Sequence, residues 1–281
     1  MRYGINSPGF GQFADPRLLA ELARLAEDAW WDGYFIWDHV YFGAPGAPPA
    51  PIGDPWVTLA AMAAATSRIR LGTHVTPLPR RRPWKLAREV VTLDHLSNGR
   101  FTLGLGIGED RFGREYSAFG EPTDDRLHGE MLDEGIDVLR GLWSGEPFSC
   151  HGKHYHIDDV TFLPRPVQPT IPIWIGAWWP HKKPFRRAAR CDGIAPIGAE
   201  GRLSPVDYRD ILAYVAQFRE SGLPFDVSRT AFLPEGSPAE AAAAIAEYEQ
   251  AGVTWWLQPL EDDMGTLDDL RAIVRKGPPR S

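Results

Sequence analysis

Between residues 101 and 108 the chain alternates. Phe101, Leu103, Leu105 and Ile107 are bulky and apolar, and Thr102, Gly104, Gly106 and Gly108 between them are small. A strand sends alternate side chains to opposite faces, so one face packs and the other stays open. Glycine inside a strand costs conformational entropy and marks a place that something approaches closely. Four small positions in succession therefore predict a ligand seat on that face. Upstream, β-formers alternate over 69–75. Pro83 then opens a helix whose Leu86, Val90, Leu93 and Leu96 share one face, before Asn98-Gly99 supplies a left-handed stop.

The same rhythm runs through the whole chain. Strands are predicted over 3–6, 34–37, 69–75, 101–107, 172–176, 193–196, 229–233 and 253–258. Amphipathic segments follow them, such as Leu18, Leu22 and Leu25 after the first and Leu132, Ile136 and Leu139 within 124–143 after the fourth; 185–190 is the fifth helix. Asp15-Pro16, Asp54-Pro55, Ser204-Pro205 and Ser237-Pro238 repeat one start signal, in which a side chain caps free amides and the proline sits where its missing N–H costs nothing. Eight strand–helix units are what a (β/α)8 TIM barrel requires. A single domain over 1–281 is expected, with an irregular insertion at 146–170, including a hairpin, between the fourth helix and the fifth strand. A doubly wound sheet would carry a phosphate fingerprint in its first turn, and Ile5-Asn6-Ser7-Pro8-Gly9 is not one.

Composition narrows the function classes. Of 281 residues, 43% are hydrophobic and 24% charged, and the net charge of -7 argues against general affinity for nucleic acid or anionic membranes. No apolar run approaches the ~20 residues of a membrane helix. Met1-Arg2-Tyr3-Gly4-Ile5 leads straight into a strand, so no secretory leader is expected. Cys150 and Cys191, the two cysteines, fit neither a disulfide framework nor a metal site, and the cytoplasm is the default compartment. His151, His154 and His156 lack supporting acid or cysteine spacing and read as structural, so no metal site is assigned. Arg80-Arg81-Arg82 reads as a solvated run or a dimer edge rather than a direct phosphate contact.

Barrel chemistry gathers at the carboxyl ends of the strands. Those ends supply Asn6 and Ser7, Asp38 and His39, Thr73, His74 and Val75, Gly106, Gly108 and Glu109, and Gly176, Ala177, Trp178 and Trp179. Trp178, Trp179, Trp255 and Trp256 are divided between core and a wall for an apolar substrate. Backbone amides at Gly176-Ala177-Trp178, taken to open the fifth helix, are the preferred seat for a phosphate tail.

The order Gly72-Thr73-x-Val75-Thr76, Leu86-Ala87-Arg88-Glu89, Thr92-Leu93-Asp94-x-Leu96-Ser97-x-Gly99-Arg100 and Leu103-Gly104-x-Gly106-x-Gly108 resembles the bacterial luciferase-like oxidoreductases. Asp38-His39, Glu115-Tyr116 and the PIWIG of 172–176 extend the resemblance over roughly the first two thirds of the chain. It implies FMN or the deazaflavin coenzyme F420. Reduced FMN would support monooxygenation, and the deazaflavin would exchange hydride with a small organic substrate. It also implies a non-proline cis peptide at His74-Val75 behind the ring, with Thr73, His74, Val75, Gly106 and Gly108 around the cofactor. His39 would lie over the ring and handle protons, Asp38 would fix the tautomer of His39, and Glu109 would be a general acid. Deazaflavin-dependent relatives carry a tryptophan shortly after the Asp-His pair, where this chain has Tyr41-Phe42-Gly43. A homodimer and, for FMN, a separate flavin reductase are implied as partners. The rival readings are a non-catalytic flavin-binding barrel and a metal-dependent hydrolase using Asp38, His39, His74 and Glu109.

Overall fold

The computed structural model describes residues 1–42, 48–111, 113–198, 202–220 and 222–279; Gly43 of the Tyr41-Phe42-Gly43 segment lies outside them. In chain order the strands are β1 Arg2–Ser7, β2 Gly33–Ile36, β3 Arg70–Thr73, β4 Thr76–Pro77, β5 Phe101–Gly106, β6 Phe148–His151, β7 His156–Val160, β8 Ile173–Trp178, β9 Gly193–Ile197, β10 Asp226–Thr230 and β11 Trp255–Pro259. The helices are α1 Pro16–Asp28, α2 Pro55–Ala65, α3 Pro83–Leu96, α4 Asp125–Trp143, α5 Lys182–Ala188, α6 Pro205–Ala216, α7 Pro238–Gln250 and α8 Leu267–Lys276. Strands β1, β2, β3, β5, β8, β9, β10 and β11 pair in that order, all parallel, and β11 returns to β1. The sheet closes into the expected (β/α)8 barrel, and the expected hairpin in 146–170 is β6–β7. Among the described residues no helix is long and apolar enough to cross a membrane.

Local chemistry accounts for the helix starts. Asp15 and Asp54 accept backbone amides ahead of α1 and α2, and Ser204 and Ser237 form reciprocal capping boxes with Asp207 and Glu240. Outside the barrel, strand faces and helix stripes share one apolar core. Inside it, Phe35, Trp174, Trp255 and Leu257 make a separate buried layer. Phe35 stacks on Trp174 at 5.1 Å and meets Trp255 edge-on at 5.6 Å. Glycines of neighbouring strands make room for these rings: a Cβ on Gly193 would lie 2.5 Å from Trp174 Cδ1. Of the four tryptophans singled out above, Trp255 belongs to this inner layer, Trp256 is buried and donates to the Ala231 carbonyl, Trp179 packs on Phe185, and Trp178 is exposed.

Several residues of the family-like motif are scaffolding. Asp94 is fully buried and accepts the amides of Val167 and Gln168 and the Gln168 side chain, which pins the segment after the hairpin to α3. Arg100 donates to the carbonyls of Ala63, Thr66, Ile69 and Ser97, closing the end of α2 onto the start of β3 and β5.

Three expected elements are corrected. The third strand stops at Thr73 and the pairing resumes at Thr76 as β4 against β5, while the His74-Val75 peptide between them is cis, as the resemblance implies. The seventh strand lies at Asp226–Thr230, not 229–233: its inward Ser228 and Thr230 meet His74 and Asn6, and the apolar run Ala231-Phe232-Leu233 belongs to the loop beyond. The fifth helix spans Lys182–Ala188 rather than 185–190, and residues 176–178 belong to β8, which runs on through Trp178, rather than to the helix start.

The space beside the glycines of β5 is also not the expected seat. A Cβ on Gly104 would lie 2.1 Å from the Thr73 carbonyl oxygen and 3.1 Å from Val75 Cγ1, and one on Gly106 would lie 2.9 Å from Val75 Cγ2. These glycines admit the bulge at residues 73–75, and open space begins beyond Val75. Gly104→Ala is expected to overpack this contact and lower stability by about 1–3 kcal/mol, read as a reduced midpoint in urea denaturation.

Candidate active site

At the carboxyl ends of the strands lies a cavity of about 1270 Å³. His39, His74, Val75, Gly108, Glu109, Gly176, Ala177 and Trp178, all expected from the sequence, line it together with Asn6. Asp38, Ser7, Thr73 and Gly106 do not line it. Thr73 is buried and exchanges hydrogen bonds with the backbone of Gly104, holding the bulge against β5.

Asp38 does not orient His39. Its carboxylate is buried and receives Arg80 Nη2 at 2.7 Å, Arg81 Nη2 at 2.8 Å, Arg81 Nε at 3.0 Å and Trp56 Nε1 at 3.2 Å. The partner of His39 is Glu115, whose Oε2 lies 3.0 Å from Nδ1. The other oxygen of Glu115 takes the Val40 amide at 2.6 Å and pairs with Arg80 Nη1 at 2.7 Å. The arginine run is accordingly neither solvated nor an edge at its first two positions: the Arg80 and Arg81 side chains are 10% and 21% exposed and neutralise two buried acids. The sequence signals were present, in three consecutive arginines and the Glu115-Tyr116 pair, but their pairing across 35 residues is not visible in one dimension.

Burial alone would raise both carboxyls. Arg81 and Arg80 nevertheless hold Asp38 below its ordinary value, and His39 and Arg80 do the same for Glu115. Glu115 is therefore an ionised acceptor and assigns the His39 proton to Nδ1, which leaves Nε2 as the nitrogen available to a ligand. His74 is different: burial pulls it down to about 4, and as a neutral ring it meets Ser228 Oγ at 3.1 Å.

Aromatic rings surround His39. Phe10 stacks on Phe42 at 4.5 Å, and Phe10, Trp37 and Phe42 each meet the His39 ring edge-on at 5.6–6.0 Å. Trp37 is fixed by a bond from Nε1 to Asn6 Oδ1 at 3.1 Å. Arg229, Tyr208 and Tyr248 also line the cavity; Arg229 falls at the start rather than the end of the strand expected over 229–233, and the two tyrosines lie on α6 and α7, where strand ends give no signal. Arg229 lies over the Tyr248 ring at 3.8 Å and donates to the Leu203 carbonyl at 3.1 Å. Glu109 is partly exposed at the mouth, capping the Arg111 amide at 2.8 Å.

The expected phosphate seat is corrected too. Gly176, Ala177 and Trp178 are the end of β8, in register with Ala195, Pro196 and Ile197 of β9, so they do not present the free amides of a helix start. Gly108, with φ +77°, and Val75 line the cavity, but a Cβ on Gly108 would fall 2.7 Å from the Tyr116 hydroxyl and 2.9 Å from Pro77 Cβ, so this glycine admits a close approach of the chain itself.

Asp38→Asn would leave two guanidinium groups facing a neutral amide in a buried site and is expected to cost about 3–5 kcal/mol in denaturation. The pH dependence has a definite sign. Groups held below their ordinary values stabilise the fold above those values and lose that contribution as pH falls, because the unfolded chain takes up protons first. Stability is expected to decline from pH 6.5 towards 4 as His74 is forced to charge, and more steeply below the 3.8 and 4.5 of free Asp and Glu. Urea midpoints across pH 3–8 check this, and Asp38→Asn should flatten the lower limb.

Comparison with known proteins agrees with this architecture. A coenzyme F420-dependent tetrahydromethanopterin reductase from Methanopyrus kandleri superposes with a TM-score of 0.77 at 18% identity, covering 98% of each chain. The oxygenating constituent of 3,6-diketocamphane monooxygenase from Pseudomonas putida, solved with FMN, gives 0.72 at 17%, covering 98% of this chain and 97% of that one. At such identity the likeness shows the fold. An F420-dependent glucose-6-phosphate dehydrogenase of Beutenbergia cavernae is 36% identical over 194 residues, 68% of this chain and 55% of that protein. The chain thus matches little more than half the length of that curated relative. The family model of luciferase-like monooxygenases matches residues 1–228, and the chain belongs to that family.

Proposed function

We propose that this chain is an oxidoreductase that uses a deazaflavin of the F420 type to oxidise or reduce a small organic substrate. The observation that carries the reading is the line Arg80–Glu115–His39, which ends at a histidine nitrogen facing a cavity large enough for a tricyclic ring and a substrate together. The residues present fit such a ring: Val75 offers an apolar platform, Gly108 brings backbone without a side chain to the cavity wall, and His39 and Glu109 supply polar groups at the rim. When bound, the deazaflavin supplies a two-electron hydride acceptor or donor.

The protein's own part is positioning and proton handling. Glu115 holds His39 as the Nδ1–H tautomer, so Nε2 takes the hydroxyl proton of an alcohol as its C–H bond gives up hydride, and returns it in the reverse direction. Phe10, Trp37 and Phe42 hold the ring in place by edge-on contacts. Arg80 and Arg81 are committed to Asp38 and Glu115, and Arg229 to Leu203 and Tyr248. Arg202 and Glu261 also line the cavity, so its walls mix polar and aromatic groups. An FMN monooxygenase fed by a separate flavin reductase is the competing reading, supported by the FMN-bound neighbour. The two free cysteines suit a cytoplasmic enzyme, and a homodimer follows from the family resemblance.

Titrating the purified protein with F420 and with FMN, followed by absorbance and fluorescence, tests the reading directly. F420 is expected to bind, and His39→Ala to retain binding while turnover of a neutral alcohol falls by about 10²-fold or more. Glu115→Gln should lower kcat with little change in KM and move the acidic limb of the pH–rate profile. Binding of neither cofactor overturns the assignment, and binding of FMN alone with oxygen uptake transfers it to the monooxygenase reading. Binding without turnover of any substrate, unchanged by His39→Ala, leaves a non-catalytic carrier.

A further inference from the structure

The hairpin of β6 and β7 carries a cluster that the redox site does not use. His151 and His156 are directly paired across the ribbon and Asp158 follows two residues after His156, so all three side chains leave from one face. Spacing along the chain gives these histidines no shared acid; pairing of the two strands brings Asp158 to both. Nδ1 of His151 lies 3.1 Å from Nδ1 of His156. Behind the rings, Asp158 Oδ2 is 3.0 Å from His156 Nε2 and Oδ1 is 3.5 Å from His151 Nε2. If both rings turn Nε2–H towards the carboxylate, both Nδ1 lone pairs point at each other. That arrangement is unfavourable until a cation stands between them. A carboxylate that fixes the far nitrogen of an imidazole is also what accompanies histidine bound to a metal. The 3.1 Å separation suits neighbouring nitrogens on one ion at bond lengths of ~2.0–2.1 Å. All three side chains are exposed, so water can complete the coordination. His154 is not part of the group: its ring turns towards Glu130 of α4.

We propose that Nδ1 of His151 and Nδ1 of His156 bind a divalent transition ion of the imidazole-preferring kind, Zn2+, Ni2+ or Cu2+, with Asp158 as positioning residue for both rings. The ion would clip the two strands of the hairpin at their loop end, on the flank of the barrel rather than at its mouth. The site is independent of the redox reading.

Tag-free protein stripped with chelator and titrated calorimetrically with ZnCl2 and with NiCl2 tests this. One ion per chain is expected with a Kd on the order of 10 µM, about -7 kcal/mol. His151→Ala and His156→Ala, both exposed and neutral for folding, should each remove binding. Asp158→Asn should weaken it about 10-fold, and His154→Ala should leave it unchanged. Unaltered melting of the metal-free variants shows that they fold. Failure of the wild type to bind either ion, binding that survives loss of either histidine, or a pair that shares only a proton in an NMR pH titration without responding to metal, each overturns the proposal.

Discussion

The site depends on a buried exchange of charge among three segments that are distant in sequence. Arg80 and Arg81, between β4 and α3, face Asp38 after β2 and Glu115 after β5, and every formal charge in the quartet has an opposite one within 3 Å. Taking four ions out of water costs several kcal/mol each, so such a group is favourable only when complete. Completeness is what joins the loops. Removing Asp38 would strip Arg81 of its partner, removing Arg80 would cut the link between Asp38 and Glu115, and the loops that carry His39 and the mouth of the cavity would lose their common anchor. Asp38, Arg80 and Arg81 therefore sit behind the cavity, and Glu115 and His39 carry the chain of contacts to its wall.

The barrel was legible in the sequence because its signals are local. Alternation in strands, helical spacing and the repeated Asp-Pro and Ser-Pro starts each act within a turn or two of chain, and the observed α1, α2, α3, α6 and α7 begin where those signals stand. The misplaced seventh strand shows the limit. Its polar Ser228 and Thr230 face inward to His74 and Asn6, so the strand looks unlike a buried one, while the apolar residues after it look more like a strand than the strand does.

The candidate site was legible in part, for the same reason. Residues at strand ends, such as His39, His74, Val75, Gly108 and Glu109, could be found once the strands were counted, and they line the cavity. What each residue bonds to could not. Proximity in sequence suggested Asp38 as the partner of His39, yet consecutive residues after a strand diverge, and the partner came from a loop 76 residues away. The glycines of β5 were correctly read as accommodating a close approach, but what approaches them is the chain itself at Thr73 and Val75.

Asp94 and Arg100 sit in the middle of the stretch that identifies the family, and both spend their hydrogen-bonding capacity on carbonyls and amides of the frame. The conspicuous signature is therefore a signature of construction. Relatives can keep it intact while exchanging what they oxidise, and kinship judged by those residues alone says little about chemistry. A more telling comparison between members would align cavity-lining positions outside that stretch, such as residues 37, 39, 42, 109 and 229, whose side chains reach the space a ligand would occupy.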